Sequence, residues 1–250
     1  MQELRLLFRD PHLVVFEKPA GIQVHPPERE RHSRLRVSRR APDVIRILRH
    51  QLETRVFPVH RLDRSTQGVM LMALTSEAAS RLQEQFRGRA VRKTYLLVCR
   101  GWLPTEGVFH QPLHSDQEEG GLLESRTDFR TLHRFEVPVT DGRFECSRYS
   151  LMEARPQTGR FHQIRRHFKS ASHPLIGDTV YGDGKHNRIW RTLTSDQRLY
   201  LLSWGLEFRH PLTGDVLRFR ARFSGIWHRV FDQAGFCPIL ENQETRDSSV

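Results

Sequence analysis

"RVFPVHRLDRSTQGVMLMAL", residues 55–74, sets the architecture of the chain around it. "RVFPVH" has the length of a short strand, and "VMLMAL" is an unbroken apolar run of buried-strand length. Between them "RLDRSTQG" is a connection rich in turn formers: Ser65, Thr66 and Gly68. It holds one acid, Asp63, between Arg61 and Arg64. Neighbouring cations favour the charged form, so Asp63 is expected to be ionised at neutral pH. On composition alone such an acid most simply caps a turn. A loop at the end of a buried strand is, however, a common seat of chemistry.

Outward from this stretch, strands outnumber helices. "LRLLFRDPHLVVFEKPAG" reads as two short strands around the turn "DPH", the second stopped by Pro19 and Gly21. Further strands are expected at "RKTYLLVCRGW", "TLHRFEVPV", "SRYSLMEAR", "RLYLLSWGLEF" and "GDVLRFRARF". "APDVIRILRHQLE" predicts a helix capped by Asp43, with Val44, Ile47 and Leu48 on one face. "TSEAASRLQEQFRG" predicts another, capped by Thr75 or Ser76, lined by Ala79, Leu82 and Phe86 and stopped by Gly88. A third is expected over "TGRFHQIRRHFKSASH", starting at Gly159, with Phe161, Ile164 and Phe168 on its apolar face. Residues 26–40, residues 105–128 with a tip at "DQEEGG", and "HPLIGDTVYGDGKHNR" read as loops. Helices interrupt the strands irregularly, which predicts an α+β fold with a mixed, largely antiparallel sheet and flanking helices.

The 250 residues suffice for a sizeable core: 37% are hydrophobic, with fifteen Phe and four Trp. The net charge is +11, and of the 40 basic residues only Lys18, Lys93, Lys169 and Lys185 are lysines. An excess of this size points to a polyanionic partner. Arginine grips phosphate bidentately and stacks on bases, which suits RNA, although a GC-rich genome also enriches arginine. Three separated cysteines, Cys99, Cys146 and Cys237, argue for reduced thiols in a cytoplasmic protein. The first residues carry acids and arginines and do not form a signal peptide, and no apolar stretch approaches a membrane span.

Two further stretches carry chemistry-bearing residues. In "TGRFHQIRRH" the expected helix places Arg160 in its first turn, where free backbone N–H groups attract an anion, and Arg165, Arg166 and Lys169 continue the basic surface. A solvated helix face is the plainer reading of any such run. His162 and His167 are five residues apart, the wrong spacing for a metal on one helical face. "GDGKHN" is not a phosphate-binding P-loop. In "RKTY", Tyr95 sits near the start of a strand, where it can serve the core or stack on a base.

Taken together, "HRLDRSTQG", "RKTY" and "TGRFHQIRRH…HPLIGD…YGD" resemble the RluA-type RNA pseudouridine synthases, over about Leu4 to Phe236. "RRHFKSASHPLIGDTVYGDGKHNR", with "DGRFECSRY" upstream, is similar to the branch that modifies uridine-65 of tRNA. The resemblance implies a pseudouridine synthase catalytic domain over residues 1–238, built of two intimate subdomains with a cleft across the sheet and no S4-like module, followed by a flexible tail at 239–250. It implies that Asp63 is the catalytic aspartate, that Tyr95 stacks on the target base and is a candidate for the final deprotonation, and that Arg160 pairs with Asp63. Arg61 is associated with the place the flipped-out nucleotide leaves, and Arg64, His162, Arg165, Arg166 and Lys169 are expected to face RNA. Two departures stand out. Thr66-Gln67-Gly68 replaces the family's T-S-G, and Leu201-Leu202-Ser203 replaces its frequent L-H-A.

The implied reaction is the isomerisation of a specific uridine, with no metal and no cofactor, by a monomer acting on tRNA, or alternatively on rRNA. A non-catalytic RNA-binding protein needs only the basic surface and aromatic stacking; the intact set Asp63, Tyr95 and Arg160 argues against it. A metal-dependent nuclease would need paired carboxylates at helical or strand spacing, which the sequence does not offer.

Overall fold

The computed structural model describes residues 3–25, 43–115 and 121–238. The loop expected at 26–40, all but the last residue of the "DQEEGG" tip and the tail at 239–250 lie outside these residues. The strands are β1 (Arg5–Arg9), β2 (Leu13–Lys18), β3 (Phe57–Pro58), β4 (Gln67–Ala73), β5 (Arg92–Arg100), β6 (Glu106–Phe109), β7 (Leu113–His114), β8 (Leu122–Leu123), β9 (Thr127–Val137), β10 (Ser147–Pro156), β11 (Leu201–Arg209) and β12 (Val216–Arg220). The helices are α1 (Val44–Leu52), α2 (Ser76–Arg87), α3 (Gln163–Ser170), α4 (Gly184–Thr194) and α5 (Gly225–Ala234).

Ten strands form one sheet in the order β1-β2-β4-β11-β5-β10-β9-β6, with β12 beside β11 and β3 beside β4. Every pairing in it is antiparallel except β4 with β11, as the mixed sheet expected from the sequence requires. The local signals that predict the first two helices operate as expected. Asp43 accepts the Arg46 N–H at 3.0 Å, Thr75 Oγ1 accepts the Ala78 N–H at 3.2 Å, and Gly88 ends α2.

Alternation along the strands divides the core. One face of the sheet presents Leu13, Val15, Val69, Leu71, Leu96, Val98, Leu151 and Leu202, covered by Ala78 and Leu82 of α2, Trp190 of α4 and Trp227 of α5. The opposite face carries two separate clusters. In one, Val44, Ile47 and Leu48 of α1 pack on Val14, Phe16, Met70 and Met72. In the other, Ile164 and Phe168 of α3 pack on Leu97, Cys99, Met152 and Ala154. Tyr95 packs against the edges of both. The gap between them is a cleft with Tyr95 in its wall, as the resemblance leads one to expect.

Register aligns the cleft. Lys18 pairs with Gly68, Gly68 with Ser203, Ser203 with Tyr95, and Tyr95 with Ala154. The departures from the family pattern meet on this line, because Gln67 pairs with Leu202 and Gly68 with Ser203 in the parallel ladder. Gly68 has φ +119°, and a Cβ there would come within 2.2 Å of the Ser203 carbonyl oxygen. Gly68→Ala is therefore expected to lower stability by more than about 3 kcal/mol, measured by urea denaturation. An unchanged midpoint would mean that β4 and β11 do not approach this closely.

Three expectations fail. Residues 105–128 hold three short strands and the start of β9 rather than a plain loop. The segment "HPLIGDTVYGDGKHNR" does not stay a loop: Asp183 Oδ1 accepts the N–H of Lys185 at 2.9 Å and starts α4. The third helix begins at Gln163 and not at Gly159, because His162 takes the left-handed conformation, φ 52°. Gln163 Oε1 accepts both the Arg160 N–H at 3.0 Å and the Thr158 hydroxyl at 2.6 Å, which closes a turn where the first helical turn is expected.

Candidate active site

The loop between β3 and β4 brings Asp63 to the cleft, with a side chain 20% exposed. Lys18, at the end of β2, fixes this loop from below. Its buried Nζ donates to the carbonyl oxygens of Pro19 (2.9 Å), Arg64 (3.2 Å) and Thr66 (2.8 Å). Burial lowers the Lys18 pKa to about 7, against the opposing pull of Asp63. On its other side the loop is held by Arg64, whose Nε donates to Gly21 O at 2.9 Å and whose carbonyl accepts the Gly21 N–H at 2.8 Å.

Arg165, in the first turn of α3, reaches Asp63: its Nη1 lies 3.3 Å from Asp63 Oδ2. The same guanidinium binds Asp178 bidentately, Nε to Oδ2 at 2.7 Å and Nη2 to Oδ1 at 2.8 Å. Its carbon lies 5.1 Å from the centre of the Tyr181 ring. Burial disfavours the Arg165 charge, but the hydrogen bonds and charge of Asp178, then Asp63, outweigh it and raise the pKa. Burial would raise Asp178; Arg165 and the N–H groups of Tyr181 and Val180 reverse that and hold it below the usual carboxylate range. Two acids thus share one rigid guanidinium, and the one with the 0% exposed side chain fixes its aim.

The expected pairing of Arg160 with Asp63 is corrected by this geometry. With the helix starting at Gln163 rather than Gly159, Arg160 lies outside it and donates its Nε–H to Glu124 O at 2.9 Å. It still lines the cleft. His162 approaches Asp63 more closely, with Nε2 at 3.7 Å from Oδ2, and its Nδ1 lies 3.2 Å from the Tyr181 hydroxyl. Burial lowers the His162 pKa, opposed by Asp63.

Tyr95 stands beside Asp63 in the wall of the cleft. Burial, then the Asp63 charge, push its phenol pKa well up, against the opposing effect of its side-chain hydrogen bond with Ser203. Ser203 donates its hydroxyl to Val69 O at 3.1 Å, so this departure from the family pattern gives the rear wall a polar tie. Lys93, two residues before Tyr95, donates to Thr158 O at 3.2 Å, and burial lowers its pKa to about 8. His60 accepts the Leu71 N–H on Nε2 at 3.0 Å and stacks on Phe86, and burial, then Lys93, lower its pKa to about 3.

The cleft has a volume of about 670 Å³. Among the residues expected to act, Asp63, Tyr95, Arg61, Arg160, His162 and Arg165 line it together. Arg64, Arg166 and Lys169 are not part of its lining. Arg64 belongs to the loop lock, Arg166 donates to His114 O at 2.9 Å, and Lys169 is exposed on the last turn of α3. Nothing local in the sequence marks Lys18, Lys93 or Gln163 as part of the site. Asp178 stood in the quoted "HPLIGD", but nothing local marks it as the partner of Arg165.

Comparison with known proteins identifies the family. The family model described as RNA pseudouridylate synthase matches residues 12–170. A protein of Vibrio parahaemolyticus named tRNA pseudouridine synthase C is 38% identical over 238 residues, covering 92% of this chain and 94% of the other. Its namesake in Pasteurella multocida is 39% identical over 233 residues, covering 90% and 93%. Two solved human structures share the fold. RNA pseudouridylate synthase domain containing 4 has a TM-score of 0.67 at 23% identity, covering 92% of this chain and 93% of its own. Domain containing 1 has a TM-score of 0.66 at 21% identity, covering 88% and 84%. A cleft that gathers Asp63, Tyr95 and Arg165, in a chain matched over most of its length, places the chain in the RNA pseudouridylate synthase family, in its RluA branch, as an RNA-modifying isomerase.

Proposed function

We propose that the substrate is tRNA, that the modified nucleotide is uridine-65, and that Asp63 is the reactive group. The observation that carries this reading is the Asp63 carboxylate at 3.3 Å from Arg165 in a cleft of about 670 Å³, within the range of about 300–1,000 Å³ typical of sites for small ligands. The names of the relatives support tRNA as the substrate class.

Isomerisation breaks the N1–C1′ bond of uridine, forms a C5–C1′ bond, and moves a proton from C5 to solvent while N1 gains one. It is redox neutral, so it calls for a nucleophile or base beside the sugar and for a closed space in which the uracil turns over. Asp63 supplies the first. The guanidinium of Arg165, fixed by Asp178, orients its oxygens and stabilises their charge through each step. Tyr95 offers a ring face to the detached uracil. Its raised pKa keeps the hydroxyl protonated, so it serves as a stacking surface and hydrogen-bond donor rather than as a standing base. The uridine is extruded from its stack to enter, at a cost of a few kcal/mol, and Arg61 and Arg160 at the cleft offset that cost through phosphate contacts. One chain supplies all these groups, and the protein works as a cytoplasmic monomer without a nucleotide cofactor.

The test is to map pseudouridine by carbodiimide-dependent reverse-transcription stops in total RNA with and without the gene. Loss of a single signal, at uridine-65 of tRNA, is expected. Loss of an rRNA signal instead would overturn the substrate assignment.

A further inference from the structure

We infer that Phe161 is a stacking platform for the nucleobase next to the target uridine; the inference rests on the proposed reaction on RNA. Its side chain is expected on the buried face of the third helix, with Ile164 and Phe168. The left-handed His162, which opens α3, instead leaves Phe161 outside the helix. It is 37% exposed and lines the cleft, while Ile164 and Phe168 are buried. A single exposed apolar ring is ordinary at a surface; what sets this one apart is that it lies in the cleft and against His162, a neighbour of Asp63.

The ring is also held in place. It stacks on the His162 imidazole, centroids 3.7 Å apart and planes at 23°. His162 is itself fixed between Tyr181 and Asp63. Arg166 Nη1 lies 3.4 Å from the Phe161 carbonyl oxygen. Two stacked rings thus form a shelf running outward from Asp63. Arg61, Arg87, Arg89 and Arg160 line the same cleft, so its occupant is anionic as well as planar. A nucleotide meets both requirements. Tyr95 already serves the uracil beside Asp63, so the shelf takes the adjoining base.

The measurements are steady-state kinetics on a tRNA transcript with F161L, F161A and F161Y, and fluorescence of 2-aminopurine placed on either side of the target uridine. Leucine keeps the apolar bulk and removes the π face. F161L and F161A are expected to raise KM about 5- to 150-fold with kcat nearly kept, which corresponds to one stacked base at about 1.4 kcal/mol per tenfold. F161Y should retain the wild-type KM. One of the two 2-aminopurine positions should be quenched by the wild-type protein and not by F161L. A wild-type KM in F161L, or quenching that persists in it, overturns the inference while wild-type isomerisation leaves the reaction standing. Absence of isomerisation by the wild-type protein removes the reaction and the inference with it.

Discussion

Asp63→Asn is expected to reduce isomerisation by at least about 10⁴-fold in kcat, with tRNA affinity within about threefold of wild type. The substitution changes charge and nucleophilicity but little else. Asparagine has the same shape, and the loop around it is fixed by groups other than the side chain. Lys18 holds the Arg64 and Thr66 carbonyls, and the Thr66 N–H donates to the residue 63 carbonyl at 3.1 Å. The amide oxygen can still accept from Arg165. An amide, however, neither forms the bond to the nucleotide that a carboxylate forms nor takes up a proton there at neutral pH. The arginines that meet phosphate are untouched. Retained turnover with retained binding would exclude Asp63 from the chemistry; lost binding would mean that the loop had moved.

Arg165→Met is expected to lower both stability and turnover, and a second substitution should separate the two. Asp178 has a side chain with 0% exposure, and removing Arg165 leaves that acid buried without its counter-charge. Breaking such a pair from one side costs about 3–5 kcal/mol. Adding Asp178→Asn removes the stranded charge, and the amide oxygen can still accept the N–H groups of Val180 and Tyr181, which Asp178 Oδ1 holds at 2.9 and 3.0 Å. The double variant should recover at least about 2 kcal/mol by urea denaturation. Its turnover should stay about 10²–10³-fold below wild type, because Asp63 still lacks the guanidinium that steadies its charge. Recovery of turnover along with stability would reduce Arg165 to a packing element.

Arg165 also illustrates what can and cannot be read from the sequence. "GRFHQIRR" announces a basic helix start, yet which arginine meets Asp63 depends on where the first helical turn falls. That point is set by Gln163, whose Nε2 donates to Arg126 O and Thr127 Oγ1, both at 2.9 Å and more than thirty residues away in the chain. No local pattern encodes those bonds, so the sequence alone points to Arg160 for the contact that Arg165 makes. The Asp178 partnership and the Lys18 lock are hidden for the same reason: each joins segments distant in sequence.

Features governed by neighbours along the chain were legible. The buried run that becomes β4, the caps Asp43 and Thr75, and the loop that presents Asp63 follow from residue type and spacing. The helix α4 was obscured by the glycines around its Asp183 cap. The helix α5 carries an apolar face of Trp227, Val230 and Phe231 at helical spacing, but it is only ten residues long and follows directly on a strand-like run. β7 and β8 have two residues each, too few for alternation to register.

The central claim is that the Asp63 carboxylate, held by Arg165, is the group that reacts with the nucleotide. It is tested most directly with tRNA carrying tritium at uridine C5, since the C5 hydrogen of the target leaves for solvent once for each pseudouridine formed. Wild-type protein should release a single equivalent per tRNA, whereas Asp63→Asn, bound to the same tRNA at saturating concentration, should release none. Release by the variant to the wild-type extent would contradict the account.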